Sequence, residues 1–186
     1  MEKRIQNSNK LIKVAITGPE STGKSTLACA LADHYQTIWV PEFARDYLNK
    51  LDRPYTFDDV EKIAIGQIAL EDKLTSAARN ILFCDTELIV IKIWMEYKYH
   101  SIPEWINEEI KKRHYDIILL CDIDIPWEPD PLRENHGLRR FFFKWFVKEI
   151  EANNKNYLII NGDQKHRLES AIKTINKIIS SPKRHS

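Results

Sequence analysis

Residues 18 to 25 read Gly-Pro-Glu-Ser-Thr-Gly-Lys-Ser, directly after Leu11-Ile12-Lys13-Val14-Ala15-Ile16-Thr17, an apolar run of strand length. Helical spacing follows, from Lys24 to about Tyr35. Gly18, Gly23, Lys24 and Ser25 satisfy the pattern G-x-x-x-x-G-K-S in the strand-then-helix setting that gives it meaning. Glycine lets the backbone fold around an anion, the amides along Glu20, Ser21, Thr22 and Gly23 donate to it, and the helix start, with Thr26 in its first turn, adds a favourable field. Lys24 is expected on the outer phosphates and Ser25 on a Mg²⁺ ion that a triphosphate brings with it. The expected ligands are therefore ATP, or a close relative, and Mg²⁺.

Four more short apolar runs lie further along: Ile38 to Val40, Ile81 to Cys84, Ile117 to Cys121 and Tyr157 to Ile160. Longer periodic segments separate them, which predicts an α/β three-layer sandwich with a mostly parallel five-stranded sheet covered on both faces. Thr56 with Asp59 three residues on predicts a capping box opening a helix to about Ala78. Ile102, Trp105, Ile106 and Ile110 share one helical face over 102–113, and Leu138, Phe141, Phe142, Trp145, Phe146 and Ile150 do so more strongly. The second stripe is expected to pack into the domain, although one ring could stack on substrate or the stripe could face a second copy.

At 186 residues the chain suits a single domain, expected over 11–180, with a polar tail at 1–10 and a second at 181–186. Twenty-eight Lys and Arg against 27 Asp and Glu leave a net charge of +1, which gives no broad reason to bind nucleic acid or an anionic membrane. The apolar stretches are strand-length, Lys92 interrupts the run around Ile89 to Met95, and no secretory signal opens the chain, so a cytoplasmic protein without membrane insertion is expected. Cys29, Cys84 and Cys121 have no ligand-spaced partners and are expected as buried reduced thiols.

Candidate chemistry gathers where the strands end. Asp85 leaves the third apolar run, where a carboxylate holds a magnesium shell or accepts a proton from an attacking hydroxyl, or else caps the next helix. Glu42 and Arg45 follow the second run, as a substrate-facing acid and a phosphate-facing base or as a surface i,i+3 pair. The stretch Asp124-Ile125-Pro126-Trp127-Glu128-Pro129-Asp130-Pro131 has three prolines in six residues and must be a stiff loop. Trp127 on it offers a face for a base ring and Asp130 an acceptor for ribose hydroxyls; the alternative is loop packing and a turn cap. Arg133, Arg139 and Arg140 surround Gly137 on a lid expected around 125–145, where arginines stabilise a transferring phosphoryl group unless they are simply solvated.

These residues together resemble the ribosylnicotinamide kinase domain of the NadR family, and more widely the P-loop nucleoside and nucleotide kinases with their AAA-like ATPase relatives. The likeness rests on residues 18–25, Pro41-Glu42-Phe43-Ala44-Arg45-Asp46-Tyr47, Asp85-Thr86-Glu87, Trp127-Glu128-Pro129-Asp130-Pro131-Leu132-Arg133 and Asn161-Gly162-Asp163, and spans about 11–180. It implies a P-loop kinase fold and transfer of the ATP γ-phosphate to the ribose 5′-hydroxyl of nicotinamide riboside. It places Lys24, Asp85, Glu42, Arg133 and Arg139 in catalysis, Arg140 and Asp163 with the loop on the nucleotide, and Arg45, Trp127 and Asp130 with Glu42 and Asp85 on the acceptor. Ten residues before the first strand lead to the expectation that neither the adenylyltransferase nor the DNA-binding domain of some family members is present. Another nucleoside kinase and a nucleotide-dependent regulatory ATPase stay open as alternatives.

Overall fold

In the computed structural model, which describes residues 11–180, five apolar runs pair as one wholly parallel sheet. They are Ile12–Thr17 (β1), Trp39–Val40 (β2), Ile81–Asp85 (β3), Ile117–Cys121 (β4) and Tyr157–Ile160 (β5), in the order β2-β3-β1-β4-β5. The α/β sandwich expected from the sequence is what forms. The two expected tails, 1–10 and 181–186, lie outside the described residues.

Strand alternation divides the core. Val14 and Ile16 face Leu27, Ala28 and Leu31 of α1 (Lys24–Tyr35) and Ala171 and Ile175 of α7 (Gln164–Ser180). Ala15, Leu82 and Cys84 face the other layer, built from α3 (Phe57–Ala77), α4 (Leu88–Tyr99), α5 (Glu104–Lys112) and α6 (Arg139–Ala152). A short α2 (Phe43–Leu48) joins β2 to this side. Because β1 is central and buried on both faces, it reads as a continuous apolar run rather than an alternating one.

The run around Ile89 to Met95, short enough in sequence to pass for a strand, is instead the middle of α4. Lys92 makes that possible: its ammonium reaches Glu149 Oε2 of α6 at 2.8 Å, so the charge sits paired in the α4–α6 seam. In the aromatic stripe Phe142, Phe146 and Ile150 are buried as expected, but Leu138 and Phe141 remain 38% and 49% exposed. Cys84 and Cys121 are buried free thiols, whereas Cys29 is exposed on α1, because α1 turns that position away from the sheet. Among the described residues no helix is long and apolar enough to cross a membrane.

The capping box forms and is larger than its two residues. Asp59 Oδ2 accepts from Thr56 N at 2.8 Å, and the same carboxylate holds Arg53 in two hydrogen bonds and Tyr47 Oη at 2.9 Å. The Arg53 guanidinium is the main reason Asp59 is held well below the usual carboxylate range. A depressed folded-state pKa means stability that is present above the ordinary carboxylate value and lost as pH falls. Asp59→Asn is therefore expected to lower the melting temperature at neutral pH, with the gap closing as both proteins are acidified; a gap independent of pH in thermal melts would assign the loss to packing.

Candidate functional site

The loop between β1 and α1 takes the conformation its glycines allow. Gly18 has φ of +136°, and a Cβ there would lie 2.8 Å from the carbonyl oxygen of Cys121 on β4, so only glycine fits so close to the neighbouring strand. Gly23 ends the loop at φ of +76° and starts α1. Ser21 also takes positive φ, at 54°. Thr22 Oγ1 donates to Pro19 O at 2.8 Å, and Lys24 Nζ arches back to the carbonyls of Gly18 and Pro19 at 3.0 and 2.8 Å. The loop thus supplies its own ammonium charge beside the helix N-terminus, the arrangement that binds phosphate.

Asp85 stands at the exit of β3, 1% exposed, with Oδ1 buried and without a hydrogen-bond partner. Burial raises its pKa to about 6, opposed by the Ser25 hydroxyl and the Lys24 and Arg45 charges, while Glu42 pushes in the same direction as burial. The carboxylate is therefore grouped with Lys24, Ser25, Glu42 and Arg45. It is not the helix cap: Glu87 has that role, accepting from Ile89 N at 2.7 Å and from Thr17 Oγ1 at 3.1 Å. Thr86 takes φ of +78°, so the chain reverses between the two acids. Burial lifts Glu87 to about 7 against those hydrogen bonds.

The surface i,i+3 pair of Glu42 with Arg45 is absent, since Arg45 pairs with Asp130 Oδ2 at 3.0 Å across the cleft. Asp130 is at the same time a turn cap, its Oδ1 accepting from Leu132 N at 2.9 Å. Trp127 packs against His136 with ring centroids 5.0 Å apart, and the Arg133 and Arg139 guanidinium carbons lie 5.9 and 5.8 Å from the indole. Both arginines turn onto the phosphate loop: Arg133 Nη1 is 3.3 Å from Ser21 Oγ, and Arg139 Nη1 donates to Ser21 O at 3.2 Å and to Ile125 O at 2.9 Å. Glu20 holds the same connection, accepting from Asn135 N at 3.0 Å. Arg140 is exposed, and Asp163 Oδ1 accepts from His166 N at 2.8 Å at the start of α7.

One cavity of about 440 Å³ gathers most of these groups. The phosphate loop, Glu42, Arg45, Arg133 and Arg139 line it, and Asp85, Trp127, Asp130, Arg140 and Asp163 do not. Its far wall was not legible in the sequence: Leu48, Tyr55, Trp94, Tyr97, Phe142 and Phe146 come from α2, the loop before α3, α4 and α6. Trp94 Nε1 donates to Tyr55 Oη at 3.0 Å, which fixes both rings. Arg53 also lines the cavity but is already bound to Asp59, as Arg45 is to Asp130. Among the described residues Glu42 is left as a lining carboxylate with neither a hydrogen-bond nor an ion-pair partner.

Another group hidden from sequence reasoning is Arg167 of α7, only 4% exposed. Its Nη1 donates to Thr22 O at 2.8 Å, Nε to Gly162 O at 2.8 Å and Nη2 to Asp122 O at 3.1 Å, with Asp124 as its counter-ion. Three loops at the carboxyl edge of the sheet are thereby joined to one guanidinium. Helical periodicity would only have placed Arg167 on a face of α7.

A parallel sheet with a glycine-rich phosphate loop after its central strand, and a ligand-sized cavity beyond the strand ends, defines a P-loop nucleotide-binding domain. The chain belongs to the AAA-domain family, whose model matches residues 13–167. It is similar to the "Trifunctional NAD biosynthesis/regulator protein NadR" of Escherichia coli K12, at 30% identity over 157 residues, and to its counterpart of the same name in Salmonella typhimurium LT2, at 29% over 152. These matches take in 81% and 78% of this chain but only 38% and 37% of the relatives, so the chain spans less than two fifths of their length. A crystal structure of NadR protein in complex with NR superposes with a TM-score of 0.80 at 22% identity, over 94% of this chain and 54% of that one, which supports the fold.

Proposed function

We propose that the chain transfers the γ-phosphoryl group of ATP to a nucleoside, and that the acceptor is nicotinamide riboside, phosphorylated at its ribose 5′-hydroxyl. The observation that carries this is one cavity lined by the phosphate loop, the Glu42 carboxylate and an aromatic wall, with Asp85 buried at the adjoining exit of β3. The attacking hydroxyl oxygen forms a bond to Pγ, the bond from Pγ to the β,γ-bridging oxygen breaks, ADP leaves, and the hydroxyl proton passes to Asp85. Lys24, Arg133 and Arg139 surround the phosphoryl oxygens, where fixed positive charge stabilises the transition state.

The protein side of a Mg²⁺ site fits this reading: the Ser25 hydroxyl is among the groups that hold down the pKa of Asp85, whose Oδ1 has no partner among the described residues. Among the described residues no group of three or more His, Cys, Asp or Glu could hold a metal ion, so phosphate and water would complete the shell, as is usual for magnesium on a triphosphate. When bound, the ion neutralises charge on the phosphates.

The unpaired Glu42 and the aromatic wall favour a cationic acceptor. Arg45 and Arg53 are paired, Glu42 is not, and Trp94 and Tyr97 offer π faces that attract a pyridinium by about 0.5–2 kcal/mol. The NAD-biosynthesis relatives and the NR complex of the fold neighbour point to the same acceptor. A nucleoside panel with MgATP, scored by phosphorylated product, tests the proposal. Nicotinamide riboside is expected to show the highest kcat/KM; a different preferred nucleoside overturns the acceptor, and ATP turnover that ignores every acceptor overturns the kinase reading in favour of a regulatory ATPase.

Trp94 and Trp127 separate in the same assay. Trp94→Ala is expected to lower kcat/KM for the riboside by about tenfold, the scale of a lost cation–π and stacking contact. Trp127→Ala, which removes from outside the cavity the indole that Arg133 and Arg139 pack against, is expected to lower kcat for all acceptors alike. A riboside-selective loss for Trp127→Ala would instead place that indole on the acceptor.

A further inference from the structure

Between the phosphate loop and the aromatic wall the residue that touches both is Glu134. Its backbone N–H faces Glu20 Oε1 at 3.4 Å, and the next residue, Asn135, donates to Glu20 through N at 3.0 Å and Nδ2 at 3.3 Å. Its carboxylate accepts from Tyr55 Oη at 3.1 Å on both oxygens and from Lys98 Nζ at 3.2 Å. Lys98 also lies 3.8 Å above the Tyr55 ring and donates to its hydroxyl. Tyr55 lines the cavity and is fixed by Trp94, so the side chain of Glu134 is tied to the acceptor wall while its backbone is tied to the phosphate loop. Arg133, one residue before, is held by Ser21 Oγ and the carbonyl of Glu128.

We infer that Glu134 is a positioning residue that, through Tyr55 and Lys98, holds Arg133 over the phosphate loop, and so directs the phosphoryl group to the acceptor rather than to water. The inference rests on the proposed kinase reading. Trp94 restrains Tyr55, and the restrained Tyr55 holds the Glu134 carboxylate. The β4–α6 connection thereby stays down on the phosphate loop and keeps water from it. Without the latch water reaches Pγ, and its oxygen replaces the acceptor hydroxyl to give ADP and inorganic phosphate.

Lys98→Met and Glu134→Gln, singly and together, test this with two readouts. The first is ADP formed per phosphorylated nucleoside at saturating acceptor. Each variant is expected to raise that ratio by about threefold to fivefold, the scale of one partly exposed charge pair. The double variant is expected to do no more than either single, because the two side chains act through one contact. The second is hydrogen exchange of amides 130–138, expected to quicken in all three variants while the amides of α1 and the melting temperature do not change. Faster exchange with an unchanged ratio overturns the positioning role, as does additivity in the double variant. Unchanged exchange overturns the latch itself. Failure of the unsubstituted protein to phosphorylate any nucleoside would instead defeat the kinase reading, with the exchange comparison still deciding the latch.

Discussion

Lys24→Ala is expected to lower turnover by about 10²- to 10³-fold, the range for removing one fixed charge-stabilising group from a transition state, while leaving the fold intact. Among the described residues the ammonium donates hydrogen bonds to the carbonyls of Gly18 and Pro19, and both belong to the loop it serves. Neither core layer packs on it, and in the sheet its charge is felt by Asp85. The start of α1 is set by Gly23 and by the backbone bond from Leu27 N to Gly23 O at 3.0 Å, which alanine at position 24 preserves. Circular dichroism and a thermal melt should match the parent protein. Parent-level turnover at saturating MgATP would remove this loop from the chemistry.

Asp85→Asn should show two effects of opposite sign. Turnover is expected to fall by about 10²- to 10⁴-fold, as for loss of a positioned general base, with ATP affinity changed far less. Stability, by contrast, should rise. A carboxyl whose pKa climbs from 3.8 to about 6 on folding disfavours the folded state once the unfolded chain ionises. The penalty begins near the unfolded value, grows as pH rises, and is complete above the folded value; about two units correspond to roughly 3 kcal/mol at most. Asparagine removes it, so without nucleotide the variant should melt higher than the parent above pH ~6 and equal to it below pH ~4. The parent's kcat/KM should fall on the acid side of about 6 as Asp85 takes up its proton. Unchanged kcat in a folded variant would relieve Asp85 of any chemical role.

The parts legible in the sequence are those encoded by neighbours along the chain. The phosphate loop, the Thr56 capping box and the five strand runs each announce themselves within a few residues, and strand exits mark where a site must lie. Tyr55, Trp94 and Tyr97 belong to the cavity only because α4 and the loop before α3 meet across the sheet end, a fact no local spacing carries. Trp127 and Asp130 show the converse. Their chemistry suits a nucleoside, but tertiary packing turns the indole toward His136 and the carboxylate toward Arg45 and a turn amide. Asp85 and Glu87 are two residues apart with the same chemistry in sequence. Only the reversal at Thr86 shows which one caps the helix and which one stands beside Lys24 and Ser25.

The buried guanidinium of Arg167 also limits how this domain can be altered. The turn around Gly162 lies at the surface, the usual place to accept added residues. Here its carbonyl shares one cation with Thr22 of the phosphate loop and Asp122 beyond β4. Lengthening that turn would pull on the cation, and through it on the glycine-rich loop between β1 and α1. Of the three segments at this edge, none can drift in length by itself, so a change in one is tolerated only when the other two shift with it.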